Sequence, residues 1–151
     1  TRDRGFGPVD AAWLRARFYF DEDHGSFVGR NAQEVDLAAA KATIAADHLI
    51  FNGYQIVARN WRHQKAEIDL IAVKGNLWVF IEVKTRATAA FGRPEEFVTE
   101  KKLAMMADAA GVYLEEKSLE VETRFDVIGI VLRHDNQFSL NHFEDVYFPG
   151  L

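Results

Sequence analysis

The elements legible in this chain run helix, three-strand meander, helix, strand, strand. That order predicts a mixed sheet of about five strands flanked by helices, in an α/β or α+β domain. Three observations carry the prediction. Apolar residues recur at three- and four-residue spacing in two stretches, near 35–49 and 103–114, which marks helices with one buried face. Between them lie short runs rich in β-branched and aromatic residues, separated by turn residues, which marks strands. Two more such runs follow the second helix, and a strand that returns through a crossover helix can pair in parallel with the meander.

Taken in order, residues 1–30 form an N-terminal extension without clear periodicity, read as a short helix and loop packed on the domain or as a partly ordered arm. Within it, Asp21, Glu22, Asp23 and His24 are ligand-type groups. Adjacent acids do not converge on one ion unless a loop folds them, so a solvated acidic loop is the simpler reading. A helix is expected from about Ala32, with Asn31 as N-cap and Val35, Ala38, Ala39, Ala42, Ala46 and Leu49 on its apolar face; Gly53 ends it in a left-handed turn. "YQIVARN" is the first strand and "WRHQK" a basic turn. "EIDLIAV", a Lys-Gly-Asn turn and "LWVFIEVKT" make a hairpin. "ATAAFGRPEEFV" is a loop punctuated by Gly92 and Pro94. The second helix starts after Thr99, a good N-cap, and buries Leu103, Met106, Ala107, Ala110 and Leu114. "RFDVIGIVL" and "QFSLNHF" are the fourth and fifth strands.

With 151 residues and a 48% hydrophobic fraction, one domain with a genuine core is expected. The chain has no cysteine, which excludes disulfides, thiolate metal sites and cysteine nucleophiles, and fits a reducing cytoplasm. No apolar run, that from Leu77 to Ile81 included, is long enough to span a bilayer, so no membrane partner is expected. The net charge of −5 argues against nucleic acid, but the distribution is uneven. Residues 59–102 hold 9 Lys/Arg against 6 Asp/Glu, whereas residues 103–151 hold 3 against 9. Screening confines charge effects to roughly 10 Å, so a local basic block can still attract phosphate. Ordinary surface patterning would give the same excess. The five histidines, 24, 48, 63, 134 and 142, show no metal-binding spacing, and His48 reads as a helix residue near the surface.

The stretch "AEIDLIAVKGNLWVFIEVKTR" places charges inside the most apolar strands. Side chains alternate across a strand. Leu77, Val79, Ile81 and Val83 therefore face one way, and Trp78, Phe80, Glu82 and Lys84 the other. In the preceding strand Ile68, Leu70 and Ala72 share a face, opposite Glu67, Asp69 and Ile71. A hairpin brings Asp69 beside Glu82. Two close carboxylates repel, and a divalent cation relieves the conflict; oxygen ligands suit Mg²⁺ or Mn²⁺. Lys84 would then orient or deprotonate a water, or hold a phosphate. A plain salt bridge from Lys84 to Asp69 or Glu82 is the structural alternative. The charges continue an otherwise apolar face, which favours the functional reading.

"GYQIVARNWRHQKAEIDLIA", "FIEVKTR", "FGRPEEFV" followed by Lys101 or Lys102, and "RFDVIGI", in that order, resemble the YraN-like family of predicted bacterial endonucleases. The resemblance runs from about residue 41 to 148. It implies an α/β, restriction-endonuclease-like three-layer fold of the PD-(D/E)xK type over residues 31–151. It also implies that Asp69 and Glu82 bind Mg²⁺ or Mn²⁺, with the Val83 carbonyl as a candidate third ligand, and that Asp69, Glu82 and Lys84 carry phosphodiester hydrolysis on DNA, branched and single-stranded forms included. Arg59, Arg62, Lys65, Arg86, Arg93, Lys101 and Lys102 would neutralise phosphates. Two positions depart from the family pattern. Aligning on Gly53-Tyr54 puts Lys41-Ala42 where the family has Gly-Glu, and "GEID" reads "AEID". Ala42 leaves open a nucleic-acid-binding module of the same fold without hydrolysis. The acidic charge and the aromatic N-terminus leave open an interaction scaffold. A homodimer is also left open, and the expected location is cytoplasmic.

Overall fold

The computed structural model describes residues 18–21, 26–29, 37–86, 98–132 and 138–147. It shows a mixed sheet between two helices. The strands are β1 (Phe18–Asp21), β2 (Ser26–Gly29), β3 (Gln55–His63), β4 (Ala66–Lys74), β5 (Leu77–Arg86), β6 (Glu122–Leu132) and β7 (Phe138–Phe143). The helices are α1 (Leu37–Phe51) and α2 (Glu100–Glu116). The sheet order is β1-β2-β7-β6-β5-β4-β3. All five expected strands are present, and β5 and β6 pair in parallel across the α2 crossover as anticipated. Two short strands from the N-terminal segment extend the sheet: β2 pairs antiparallel with β7, and β1 with β2. The expected helix start at Asn31–Ala32, the acidic positions 22–24 and the loop around Gly92 and Pro94 lie outside the described residues.

The helix boundaries follow from local chemistry. Gly53 adopts φ 89°, so α1 ends in a left-handed turn in which Tyr54 N–H donates to Leu49 O at 2.9 Å and Gly53 N–H to Ile50 O at 3.1 Å. These two bonds satisfy carbonyls that the helix end leaves over. Thr99 caps α2, its Oγ1 accepting Lys102 N–H at 3.1 Å. The buried face of α2 is Leu103, Met106, Ala109, Ala110 and Tyr113. Ala107 and Leu114, expected there, are half-buried.

Each helix covers one sheet face. Ile44, Ala45, Ala46 and Leu49 of α1 pack with Leu70, Ala72, Val79, Ile81, Val83, Ile128 and Ile130. The α2 residues pack with Ile68, Ile71, Phe80 and Val127 on the other side. The expected alternation along β5 holds. That along β4 breaks at Asp69, because Ile68 joins the α2 layer while Leu70 joins the α1 layer. Asn60 explains the break. It lies between the pairs Arg59↔Leu70 and Trp61↔Ile68, and its φ of 48° kinks β3 where Asp69 stands opposite. Asparagine is among the few residues that tolerate this left-handed conformation. "WRHQK" is also shorter as a turn than expected: Trp61, Arg62 and His63 continue β3, and Gln64 and Lys65 alone connect to β4. No described helix is long and apolar enough to cross a membrane.

Candidate active site

The β4–β5 ladder runs from Lys74↔Leu77 to Leu70↔Ile81 and stops there. On either side pairing continues: β3–β4 to His63↔Ala66, and β5–β6 to Arg86↔Val131. The sheet thus forks beyond Leu70, with the β3–β4 ribbon on one arm and β5–β6 on the other. Asp69 stands at the crotch. Its Oδ2 accepts Val83 N–H at 2.7 Å, a bond that backbone Ile68 would have taken had the register continued. In an antiparallel strand a residue's N–H and C=O point to the same neighbour, so the Val83 carbonyl faces the fork as well.

One step past the last ladder pair, Glu82 lies across from Asp69. Glu82 is buried on the α2 side of β5, continuing the face of Trp78 and Phe80. Burial pushes its carboxyl above the usual range, and the charge of Asp69 pushes it further; Lys102 and Lys84 pull the other way. Lys84 Nζ lies 3.5 Å from Glu82 Oε1, and Lys102 Nζ, from the first turn of α2, lies 3.7 Å from the same oxygen. The structure therefore brings together Asp69, Glu82, Val83 and Lys84, and adds Lys102. Among the described residues no group of three or more His, Asp and Glu side chains gathers as a metal cage. Two carboxylates and one backbone carbonyl fit a cation that keeps several waters, as Mg²⁺ does.

The other described basic positions of the expected set lie on separate elements. Arg59 lies on β3 next to Asn60. Arg62 is exposed and pairs with Glu67 at 3.4 Å. Lys65 is exposed in the β3–β4 turn, and Lys101 is exposed on α2. Arg86 ends β5, its side chain outside the described set, as is Arg93. Ala42 is half-buried on α1, whose packing face meets Ile81 and Val83. That is the sheet face opposite to Glu82 and Lys84.

A second polar cluster, on the α1 side, was not assembled from the sequence. Arg124 donates to Asp126 from Nε to Oδ1 at 2.9 Å and from Nη2 to Oδ2 at 2.8 Å, and also from Nη2 to Tyr54 Oη at 2.7 Å. Asp145 N–H donates to Asp126 Oδ1 at 3.0 Å, and His142 Nε2 meets Oδ2 at 2.7 Å. His142 Nδ1 meets His48 Nε2 at 3.0 Å. Because Asp126 accepts, His142 donates to it from Nε2, and its Nδ1 stands in hydrogen-bond contact with His48 Nε2. His48, expected near the surface, is buried against the sheet. Burial, and then the charge of His142, lower its pKa to about 3. Burial alone would raise the Asp126 carboxyl; the bonds from His142, Arg124 and Asp145 outweigh it and hold the group below the ordinary range. The sequence signal was Arg-x-Asp within an otherwise apolar strand, which puts both groups on one face.

The model of uncharacterised protein family UPF0102 matches residues 41–130. A UPF0102 protein of Flavobacterium psychrophilum is 38% identical over 117 residues, covering 78% of this chain and 98% of that protein. One from Chlorobaculum tepidum is 44% identical over 111 residues, covering 72% and 84%. One from Carboxydothermus hydrogenoformans is 41% identical over 104 residues, covering 68% and 87%. Among solved structures, Pyrococcus furiosus SfsA in complex with Ca²⁺ aligns at a TM-score of 0.38 and 11% identity, over 79% of this chain and 75% of that one. On the family match and these relatives, the chain belongs to the UPF0102, or YraN-like, family.

Proposed function

We propose that this protein is a metal-dependent endonuclease acting on DNA by phosphodiester hydrolysis, in a cytoplasmic setting. The observation that carries the reading is the carboxylate pair at the fork. Asp69 and Glu82 face each other where two strands part, and Lys84 Nζ stands 3.5 Å from Glu82. Asp69 and Glu82, with the Val83 carbonyl, would hold Mg²⁺ or Mn²⁺. When bound, such an ion stabilises charge developing on the phosphoryl oxygens and makes a bound water more acidic. Lys84 binds the scissile phosphate or orients the water. The water oxygen gives up a proton as it bonds to phosphorus, the bridging P–O bond breaks, and the departing oxygen takes up a proton from solvent. The Val83 N–H fixes the Asp69 carboxylate, so the pair is preorganised rather than assembled on binding.

Calorimetry with Mn²⁺ tests the site. Wild type is expected to bind at millimolar concentration or below, and Asp69→Asn and Glu82→Gln each to abolish the binding heat while keeping the fold by circular dichroism. A wild type without binding heat would mean that Asp69 and Glu82 serve only as partners of Val83 and the lysines. Ala42 supports a second reading, DNA binding without hydrolysis, since it supplies no oxygen where the resembled pattern has glutamate. Under that reading Mn²⁺ and DNA bind and no strand is cut.

Arg62 and Lys65 sit on the arm that projects past the carboxylates. Replacing both with Ala should weaken DNA binding evenly across sequences and flatten the slope of log K against log salt by roughly 1–2. Arg62 is 72% exposed, so its pairing with Glu67 leaves it available to phosphate. An unchanged slope would move the DNA surface off this arm.

A further inference from the structure

Lys102 stands apart from the other basic residues near the fork. It shares Glu82 Oε1 with Lys84, at 3.7 Å and 3.5 Å. Two ammonium groups thus serve one oxygen of a carboxylate whose side chain is 6% exposed, while their own side chains are 44% and 37% exposed. Lys84 arrives from the same strand, two residues on. Lys102 arrives from another layer. Its backbone is pinned, because its N–H donates to the capping Thr99 Oγ1 and the next residue, Leu103, is buried. Its long stem is free to swing towards solvent.

The position is an awkward one for a lysine. A cation in the first turn of a helix opposes the helix dipole, so Lys102 gains nothing from α2 itself. What holds it is the charge of Glu82, which stands beside Asp69 and needs a counter-cation. A divalent ion between Asp69 and Glu82 answers the same need at shorter range. Two ammonium groups and a divalent ion cannot all crowd one carboxylate oxygen, since like charges at a few ångströms repel strongly when partly desolvated. Lys102 makes the longer contact and is the more exposed of the two lysines, so it is the one to leave. A lysine released at the mouth of the fork is a ready point charge for phosphate.

We propose that Lys102 is an exchangeable counter-cation and positioning residue: it holds Glu82 in the metal-free protein, and yields Glu82 to the divalent ion and moves to a DNA phosphate once that ion binds. This rests on the metal-site reading given above. It follows that metal and Lys102 compete, and that Lys102 contributes to DNA binding only when metal is present.

The test compares wild type, Lys102→Gln and Lys101→Gln. The last removes the same charge from the neighbouring exposed position. By calorimetry Lys102→Gln should bind Mn²⁺ roughly three- to tenfold more tightly than wild type, and Lys101→Gln within twofold. In DNA titrations against salt, Lys102→Gln should match the wild-type slope in EDTA and fall below it by roughly one in Mn²⁺. An unchanged Mn²⁺ affinity, an equal effect of Lys101→Gln, or a slope that falls equally in EDTA and Mn²⁺ would overturn the exchange while leaving the metal site standing. No binding heat in either wild type or Lys102→Gln would overturn the metal-site reading and this inference together.

Discussion

Asp126→Asn is expected to lower the free energy of unfolding by about 3–5 kcal/mol at pH 7, the range seen when one partner of a buried ion pair is removed. Asp126 is fully buried and accepts four hydrogen bonds on its two oxygens, from Arg124 Nε and Nη2, Asp145 N–H and His142 Nε2. That saturates a carboxylate's acceptor capacity. Asparagine offers one oxygen and turns an NH₂ towards donors. The Arg124 side chain, 17% exposed, would then keep its charge without a buried partner. The exposed Glu144, 3.6 Å away, is too well solvated to replace Asp126. Urea denaturation is the measurement. A loss below about 1 kcal/mol would show that the cluster contributes little and that apolar packing alone clamps α1 to β6 and β7.

Acid is expected to weaken the fold from about pH 6.5 downward, well above the range in which ordinary carboxylates titrate. The cause is His48. Its pKa is about 3 in the folded chain against 6.5 when unperturbed. Between those values the unfolded chain binds a proton that the folded chain refuses, so stability falls as pH falls. The slope approaches about 1.4 kcal/mol per pH unit inside the window, which integrates to about 2.3 kcal/mol between pH 6.5 and 4.5 because the slope is only half its full value at pH 6.5. Asp126 acts in the same direction at lower pH. Its folded pKa is depressed, so its contribution is present above the ordinary carboxylate pKa and is lost as pH falls through the folded value. Denaturation of wild type and His48→Gln at pH 7 and pH 5 separates the two groups. His48→Gln should lose stability at pH 7 and then lose less between pH 7 and 5 than wild type does. Parallel curves would place the acid sensitivity elsewhere.

What the sequence disclosed was local. Gly53 and Thr99 announce helix ends because their chemistry acts on their own backbone. The alternation from Leu77 to Lys84 assigns both faces of β5 correctly, and the two-residue turn at Gly75 and Asn76 then forces Asp69 towards Glu82. The carboxylate pair was therefore readable without a structure. Ile68 was not, because its face depends on a kink at Asn60, one strand away, and on the Asp69 side chain capturing a backbone N–H. Lys102 could be named as basic but not placed on Glu82, since that needs the angle at which α2 enters. The His48 cluster was invisible for a related reason. His48 in the last turns of α1 reads as a helix residue near the surface until β7 supplies His142 and β6 supplies Asp126. The strands β1 and β2 have four residues each, too few for periodicity to register, and they pair at all because β7 leaves an edge to extend.

The sequence separations of the two polar clusters set an order of assembly. Asp69 and Val83 are 14 residues apart, whereas His48 and His142 are 94 apart. Closing the longer loop costs about 1.7 kcal/mol more chain entropy, and non-local contacts of this kind tend to form late. The fork can thus take shape while the chain is still searching for its α1–β7 closure. If so, the loss caused by Asp126→Asn belongs almost wholly to the unfolding rate, with refolding unchanged in stopped-flow traces. A slowed refolding limb would place the closure in the nucleus. With refolding unchanged, the His48–His142 contact acts as a latch, setting how long the molecule stays folded rather than how fast it gets there.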